Sequence, residues 1–588
     1  MTWTNALYHD HTPFYLSKME ASVGDTVHVR LRVPKDVHFD AVWLTHLRSG
    51  ERERKAMTRL EVPTQPDYAF YEADLELHAR TVRYAFLLLT SDDTVQYCAR
   101  GALHANPSFR DWFQFVCDVH RPNWLNERVF YQIFPDRFKN GDPTNDVQTG
   151  EYTYNGKPVV KKEWHELPTK AGNIFEHWGG DLEGIRQGLD YLESLGVNGI
   201  YLNPIFTSPS NHRYDTENYL EVDPHLGGDE ALRRLLDEAH ARGFKVILDG
   251  VFNHTGDRLE AFRRAKDNHA ERELYTWLPG GGYEAFAGVK TLPKLDFASP
   301  VTYERFLEHP DSPLRHWLRF GADGWRLDVA HMMGARGIDA DNLKIQRHLR
   351  AAARAENPEA WIFGERFWDA EAALQGPNDA LSHDGGGEDG VMNYHGFTLP
   401  ITDWLSGTTI FEHPVRLETS ELVELLQERY RVLPPLARLS QYNLIGSHDI
   451  PRPLERMGGD LAKLRTAFTL LLTYSGVPGI YYGDEIGLTG GGDPFCRAPF
   501  PWDESQWDLE TLKHVKGLVK LRRSSLALQC GGLVWLEHGE DSISFARVYT
   551  HGDGREERVV VKATRGMKPE KSSGTSAPES DDVDTIFI

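Results

Sequence analysis

A multidomain α/β protein built on a (β/α)8 barrel is the fold class this sequence predicts, with an N-terminal β-sandwich, a small subdomain inserted in the barrel, and a C-terminal β-domain. Three observations carry it. Short alternating strand-like runs fill residues 1–120; from Val129, eight apolar runs alternate with amphipathic helical stretches; after Leu521 the helical periodicity gives way to strand-like alternation again. The corresponding domains are 1–120, 121–520 and 521–588, and a chain of 588 residues can bury a core in each.

The first domain is read from Thr26–Val33, Ala41–Thr45 and Val82–Leu89, whose alternation fits a sandwich of about a hundred residues. Its aromatic residues could form a sugar-binding face, but sandwich cores need aromatics too, and the core reading is favoured. Arg121-Pro-Asn-Trp-Leu125 reads as a linker. The barrel strands are the runs beginning at Val129, Gly199, Val246, Gly324, Trp361, Val391, Gln441 and Gly479. Between the second and third of them, Glu230–Arg242 carries apolar residues at helical spacing with Gly243 as its stop. The gap between the third and fourth runs, about 70 residues, is too long for one crossover, and Thr276–Tyr283 inside it marks an inserted subdomain at about 255–300. Gly532–Leu536 and Ser542–Val548 are strands of the terminal domain; Lys571–Asp582 reads as a mobile loop or tail. No internal repeat is visible.

Composition narrows the function. With 87 acidic against 65 basic residues the formal charge is -22, which argues against nucleic acid and against anionic membranes but suits a neutral polar substrate. The amino terminus has neither a basic n-region nor an apolar h-region, and no stretch of 18 apolar residues follows, so a soluble cytoplasmic protein is expected. Cys98, Cys117, Cys496 and Cys530 suit reduced thiols, with a Cys98–Cys117 pair left open, and no C-x-x-C spacing suggests zinc.

Active sites of such barrels sit at the C-terminal ends of the strands. Four runs end in polar residues there: Asp249 with Asn253 and His254; Arg326 with Asp328; Glu365; and Ser447-His448-Asp449. Each alone could be a helix cap or loop hydrogen bond, but their convergence on one mouth points to chemistry. Arg326 and Asp328, two apart on a strand, point the same way, and the guanidinium is placed to hold the carboxylate ionised. Two carboxylates flanking a scissile bond fit glycoside hydrolysis, with Asp328 as nucleophile and Glu365 as acid; a separation of about 5 to 5.5 Å would give retention. Asp449 would bind sugar hydroxyls, His254 and His448 would donate to the same sugar, and Tyr214 would supply a platform. A metal-dependent hydrolase is disfavoured, because no H-x-H or H-E-x-x-H spacing occurs and Arg326 would repel a divalent cation.

These residues resemble the α-amylase family of glycoside hydrolases. Asp249-Gly-Val-Phe-Asn-His254, Gly324–Ala330, Gly364-Glu365 and Ser447-His-Asp449 resemble its four signature regions in order, and Gly180–Ile185, Leu292–Leu295 and Gly476–Glu485 its auxiliary ones. The resemblance implies Asp328 as nucleophile, Glu365 as acid/base and Asp449 as transition-state stabiliser, with Asp249, Arg326 and His331 at the substrate, and α-1,4-glucan substrates cleaved with retention. The leading sandwich and Leu292-Pro-Lys-Leu295 resemble the branch of neopullulanases, cyclomaltodextrinases, maltogenic amylases and maltodextrin glucosidases. His331-Met332, Phe367 and Asp493–Trp502 resemble the last of these, which implies glucose release from short maltodextrins with transglycosylation as a side activity. Cyclomaltodextrinase or neopullulanase activity is the alternative, and a noncatalytic carbohydrate-binding protein the rival from another class. No cofactor is needed for catalysis. Asn140, Asp142, Asn145 and Asp146 crowd hard oxygens into one loop, a composition that turns also have. The resemblance adds Gly179 and Asp181 and implies a structural calcium. It also implies a homodimer formed through the sandwich.

Overall fold

The computed structural model describes residues 3–267, 270–334, 339–368, 387–566 and 584–587. Near the amino terminus two antiparallel sheets form a sandwich. One has the strand order Thr26–Pro34, Tyr68–Glu76, Thr58–Leu60; the other runs Glu51–Ala56, Ala41–Arg48, Thr81–Leu89, Thr94–Cys98, Gly101–Leu103. Alternation decides what is buried: Val27, Val29, Leu31 and Val33 point inward and meet Val42, Leu44, Phe86 and Leu88. The sandwich's aromatic residues Tyr84, Phe86 and Phe113 pack edge-on around His9 in this core, the structural use rather than a sugar-binding face. Cys98 and Cys117 are separate buried thiols, donating to the carbonyls of Gly101 and Ala79, so the pairing left open by the sequence does not form.

All eight predicted runs form strands of one closed parallel barrel: β1 (Phe130–Ile133), β2 (Gly199–Leu202), β3 (Lys245–Gly250), β4 (Gly324–Leu327), β5 (Trp361–Arg366), β6 (Gly390–Asn393), β7 (Tyr442–Asn443) and β8 (Val477–Tyr481), with β8 pairing back onto β1. The interior is filled with side chains rather than open. Phe130, Tyr201, Trp361, Phe363 and Tyr442 pack together across it, Phe363 stacked on Tyr442 and edge-on to Tyr201. Outside, helix Gly228–Ala241 buries Ala231, Leu232, Leu235, Leu236 and Ala239 on one stripe, and the chain leaves it through Gly243 at φ +80°, the left-handed residue that stops the helix.

Between β3 and β4 the inserted unit contains helix Glu260–Lys266 and a loop held by backbone bridges Trp277–Tyr283 and Ala285–Pro293. Phe262 packs against Tyr275, Trp277 and Tyr283 to give it a small core. The terminal sheet has the order Gly532–Trp535, Ser542–Thr550, Glu556–Thr564, Asp584–Phe587. The tract Lys571–Asp582, expected to be a mobile loop or tail, lies outside the described residues. Among the described residues no helix is long and apolar enough to cross a membrane.

Candidate active site

The register of β3, β4 and β5 puts Asp249 beside Arg326 and brings Glu365 alongside. Arg326 is completely buried, and one guanidinium serves three carboxylates. Its Nη1 donates to Asp249 Oδ1 at 2.8 Å and to Asp328 Oδ1 at 3.0 Å, while Nη2 lies 2.9 Å from Glu365 Oε2. Its Nε donates to the sulfur of Met392. The sequence expectation that Arg326 keeps Asp328 ionised is thereby modified. Burial pushes the Asp328 carboxyl well above the usual range, and the carboxylates of Glu365, Asp249 and Asp449 add to that effect, against one shared cation. Asp449 is pushed up to about 7, first by burial and then by Glu365. Such a cluster retains a proton near neutrality, which a reaction needing one acid beside one carboxylate nucleophile requires.

After Asp328 the chain turns sharply at Val329, which has φ 38° and ψ 49°. The Val329 amide donates to Glu365 Oε2 at 2.8 Å. The half-buried His331 follows, with Nδ1 3.3 Å from the Glu365 carbonyl. Asp449 meets His448 Nε2 at 3.2 Å through Oδ2 and Arg497 Nη2 at 3.4 Å through Oδ1.

Tyr214 and His448 stack in parallel, 5.6 Å apart at 6°, and the Tyr214 hydroxyl donates to Asp249 Oδ2 while lying 2.6 Å from His448 Nε2. Burial and the charges of Arg497 and Arg326 push His448 well below its usual range, so the ring is neutral. The fold thus brings together Asp249, Arg326, Asp328, Glu365, His331, His448, Asp449 and Tyr214. His254 makes no hydrogen bond to these carboxylates among the described residues. It stacks on Phe286 of the inserted unit, is pushed down to about 4 by burial, and its Nε2 has no hydrogen-bond partner among the described residues.

Several residues of the site were not singled out from the sequence. Tyr201 donates to Asp249 Oδ2 at 2.6 Å, Asn203 donates to the Tyr214 oxygen, and Gln132 Nε2 lies 2.9 Å from His448 Nδ1. A signal for them existed: polar groups at inward positions of otherwise apolar barrel runs. Arg497 donates to the His448 carbonyl and pairs with Asp493 at 3.0 Å, but it belongs to a loop after β8 where no periodicity marks it. Beside Asp449 and His331 an open cleft continues outward, lined by Phe367, Trp368 and Phe411. Phe367 is stacked on Tyr394, whereas Trp368 and Phe411 are 61 % and 64 % exposed, large apolar faces left in water at the mouth.

The oxygen-rich loop lies after β1. Asn140 Nδ2 donates to Asp146 Oδ1, Asp146 Oδ2 pairs with Lys161 at 2.8 Å, and Asp142 Oδ1 accepts from the Thr144 amide and hydroxyl. Asp181 accepts from the amides of Gly141, Asp142 and Gly184 and from Asn145 Nδ2. Gly179 packs so closely on Asp146 and Asn140 that a Cβ would stand 2.2 Å from Asp146 Oδ1. The side-chain Oδ1 atoms of Asn140 and Asn145 are buried without a hydrogen-bond partner among the described residues. Two orphaned hard oxygens beside two aspartates fit a calcium ion, whereas His and Cys ligands are absent from this loop.

The chain matches the family described as "Alpha amylase, catalytic domain" over residues 132–513 and "Alpha amylase, N-terminal ig-like domain" over residues 1–118. It is 33% identical over 580 residues to a cyclomaltodextrinase of Geobacillus thermopakistaniensis (strain MAS1), spanning 95% of this chain and 90% of that protein. Over 582 residues it is 34% identical to neopullulanase 2 of Thermoactinomyces vulgaris, spanning 96% and 91%. The solved structure of the cyclic alpha-maltosyl-(1-->6)-maltose hydrolase from Arthrobacter globiformis aligns with a TM-score of 0.65 at 32% identity, over 76% of this chain and 93% of that one. With the barrel, the sandwich and the carboxylate cluster all present, the chain belongs to the α-amylase family and is a glycoside hydrolase.

Proposed function

We propose that this enzyme hydrolyses α-glucosidic bonds of small cyclic or branched malto-oligosaccharides, in the manner of a cyclomaltodextrinase or neopullulanase, with retention. The observation that carries the chemistry is the single buried guanidinium of Arg326 between Asp249, Asp328 and Glu365. Asp328 attacks the anomeric carbon as Glu365 protonates the departing oxygen; Glu365 then takes a proton from water, or from a sugar hydroxyl in transglycosylation. Asp449, held by His448 and Arg497, binds sugar hydroxyls, and Tyr214 covers the sugar's apolar face. The names of the two relatives that span nine-tenths of both chains support this reading over the maltodextrin glucosidase expected from His331 and Phe367. Exposed Trp368, one residue beyond Phe367, supports it further by offering an indole to a second sugar.

The test compares rates on β-cyclodextrin, pullulan and maltotriose, with the new anomer followed by NMR. Faster turnover of the cyclic sugar or pullulan, with the α-anomer appearing first, is expected. Glucose from maltotriose with the other two inert would return the glucosidase, and no turnover on any would favour a binding protein. Glu365→Gln should cost roughly 10²- to 10⁴-fold in kcat with the fold intact.

The reading includes a structural calcium held by Asn140, Asp142, Asn145, Asp146, Asp181 and the Gly179 carbonyl. It would tie the loop after β1 to the turn at Gly179 and take no part in the reaction. The buried free thiols support a reducing, cytoplasmic setting. A homodimer through the sandwich completes it; sedimentation showing only monomer at micromolar concentration would overturn that part.

A further inference from the structure

Val329 follows the nucleophile in a conformation that its side chain disfavours. Among the described residues the other non-glycine positions with positive φ are Ser49, Asp118, Asn155, Arg213, Ala287 and Glu412, so Val329 is the one β-branched residue in that region. A strained residue persists only where its surroundings over-determine it. Here the preceding amide, of Asp328, donates to the Gly250 carbonyl at 3.1 Å, and the Val329 carbonyl accepts from the Met332 amide at 2.8 Å. Fixed from both sides, the strained turn aims the Val329 N–H at Glu365 Oε2, 2.8 Å away and buried.

The same oxygen also lies 2.9 Å from Arg326 Nη2. Oε2 thus accepts the Val329 N–H and lies against the guanidinium cation, although no Nη2 hydrogen is aligned on it, while Oε1 has no hydrogen-bond donor among the described residues. A proton placed on Oε2 would confront the amide donor and the nearby cation, whereas one on Oε1 would not. We propose that the Val329 main-chain amide is a positioning group for proton transfer, which with Arg326 pins Glu365 by Oε2 and reserves Oε1 as the oxygen that carries the proton. In the first step the Oε1 proton then moves to the glycosidic oxygen. That oxygen keeps the electron pair of the breaking bond, and the Asp328 carboxylate supplies the pair that forms the new bond to the anomeric carbon. The inference rests on Glu365 being the acid/base.

The test replaces Val329 by α-hydroxyisovaleric acid through nonsense suppression, which turns the Asp328–Val329 amide into an ester and removes the N–H while keeping the side chain. Two substrates are compared by kcat/KM, which reports the first irreversible step. An α-linked maltosyl fluoride leaves without needing a proton, whereas maltotriose needs one. Loss of the donor should lower kcat/KM for maltotriose roughly 10- to 100-fold, part of what general acid catalysis supplies, with the fluoride affected much less. Arg326, Asp328, Asp449, Tyr394 and His331 also face Glu365, and the ester leaves all of them in place. Equal losses on both substrates would overturn the proposal. Neutron diffraction on the unaltered enzyme at acid pH gives an independent reading: deuterium on Oε1 is expected, and deuterium on Oε2 would refute it. If Glu365→Gln instead keeps full activity on maltotriose, it is the acid/base assignment that has failed.

Discussion

Asp449 shows how a residue's surroundings turn into pH dependence. Its carboxyl is pushed up to about 7 by burial and by Glu365, against an ordinary value of 3.8. In the unfolded chain it ionises near that ordinary value, so the folded state binds a proton more tightly than the unfolded one. Its contribution to stability is therefore full below pH 3.8 and is lost as pH rises through about 7, where the native cluster must accept another charge. Asp449→Asn removes that penalty. The variant should match the parent in stability near pH 4 and exceed it at pH 8 by on the order of 2 kcal/mol, read as a Tm difference that grows across the interval. A constant difference at all pH values would show that the carboxyl is not strained by its neighbours. The three carboxylates were legible in the sequence because each closes an apolar run. The sharing of Arg326 was not, since it depends on the register of β3 against β4 and β5, and neither was Arg497, which reaches Asp449 from a loop without periodicity.

Elements position these residues only if the strands approach closely, and glycine decides that at the first residue of β4. Gly324 has φ +159°, and a Cβ there would stand 2.1 Å from the Trp361 carbonyl oxygen, a backbone atom that cannot swing away. Gly324→Ala should separate β4 from β5, the strands that carry Arg326 and Glu365. A loss of about 3 kcal/mol or more is expected in urea unfolding, with activity lost in the folded fraction as well, because a small misplacement at the cluster is costly. Tolerance of alanine would mean the barrel can relax at this seam. The loop after β1 offers a second test at this scale. Saturating calcium should raise Tm, by an amount equivalent to about 2.7 kcal/mol when the ion is at a hundred times its Kd, and chelator should reverse it. Asp146→Asn should weaken the response, and Lys161, already paired with that carboxylate, should gain mobility. The eight strands were readable from composition because barrel strands are short continuous apolar runs; whether the oxygen-rich loop after β1 holds a cation was not, because turns and cation sites draw on the same residues.

At the scale of the whole molecule the question is whether sandwich, barrel and terminal sheet fold as one unit. Polar ties cross every boundary. His11 Nε2 lies 2.9 Å from the Cys530 carbonyl, Gln65 donates to the Gly554 carbonyl, and Arg547 donates to the carbonyls of Thr473 and Gly531. Arg121, in the segment expected to be a mere linker, is the central one. It is buried, and it donates to Asn126 Oδ1, to Ser440 Oγ and to the Leu439 carbonyl, while its amide donates to Glu20. Burial pushes its guanidinium down to about 10, against the opposing influence of Cys530 and then of the carboxylates of Glu20 and Asp389. A charge held this way is stabilised by its hydrogen bonds, and truncating it leaves buried acceptors without donors. Arg121→Ala should therefore cost roughly 3 kcal/mol. Because the acceptors belong to the barrel and the donor to the segment leaving the sandwich, the cost should appear as a downward shift of one cooperative calorimetric transition. Turnover per folded molecule should stay unchanged, since Arg121 hydrogen-bonds to none of the active-site carboxylates. A separate low-temperature transition that appears or moves alone would mean that the sandwich melts independently, and that the segment around Arg121 is a linker after all.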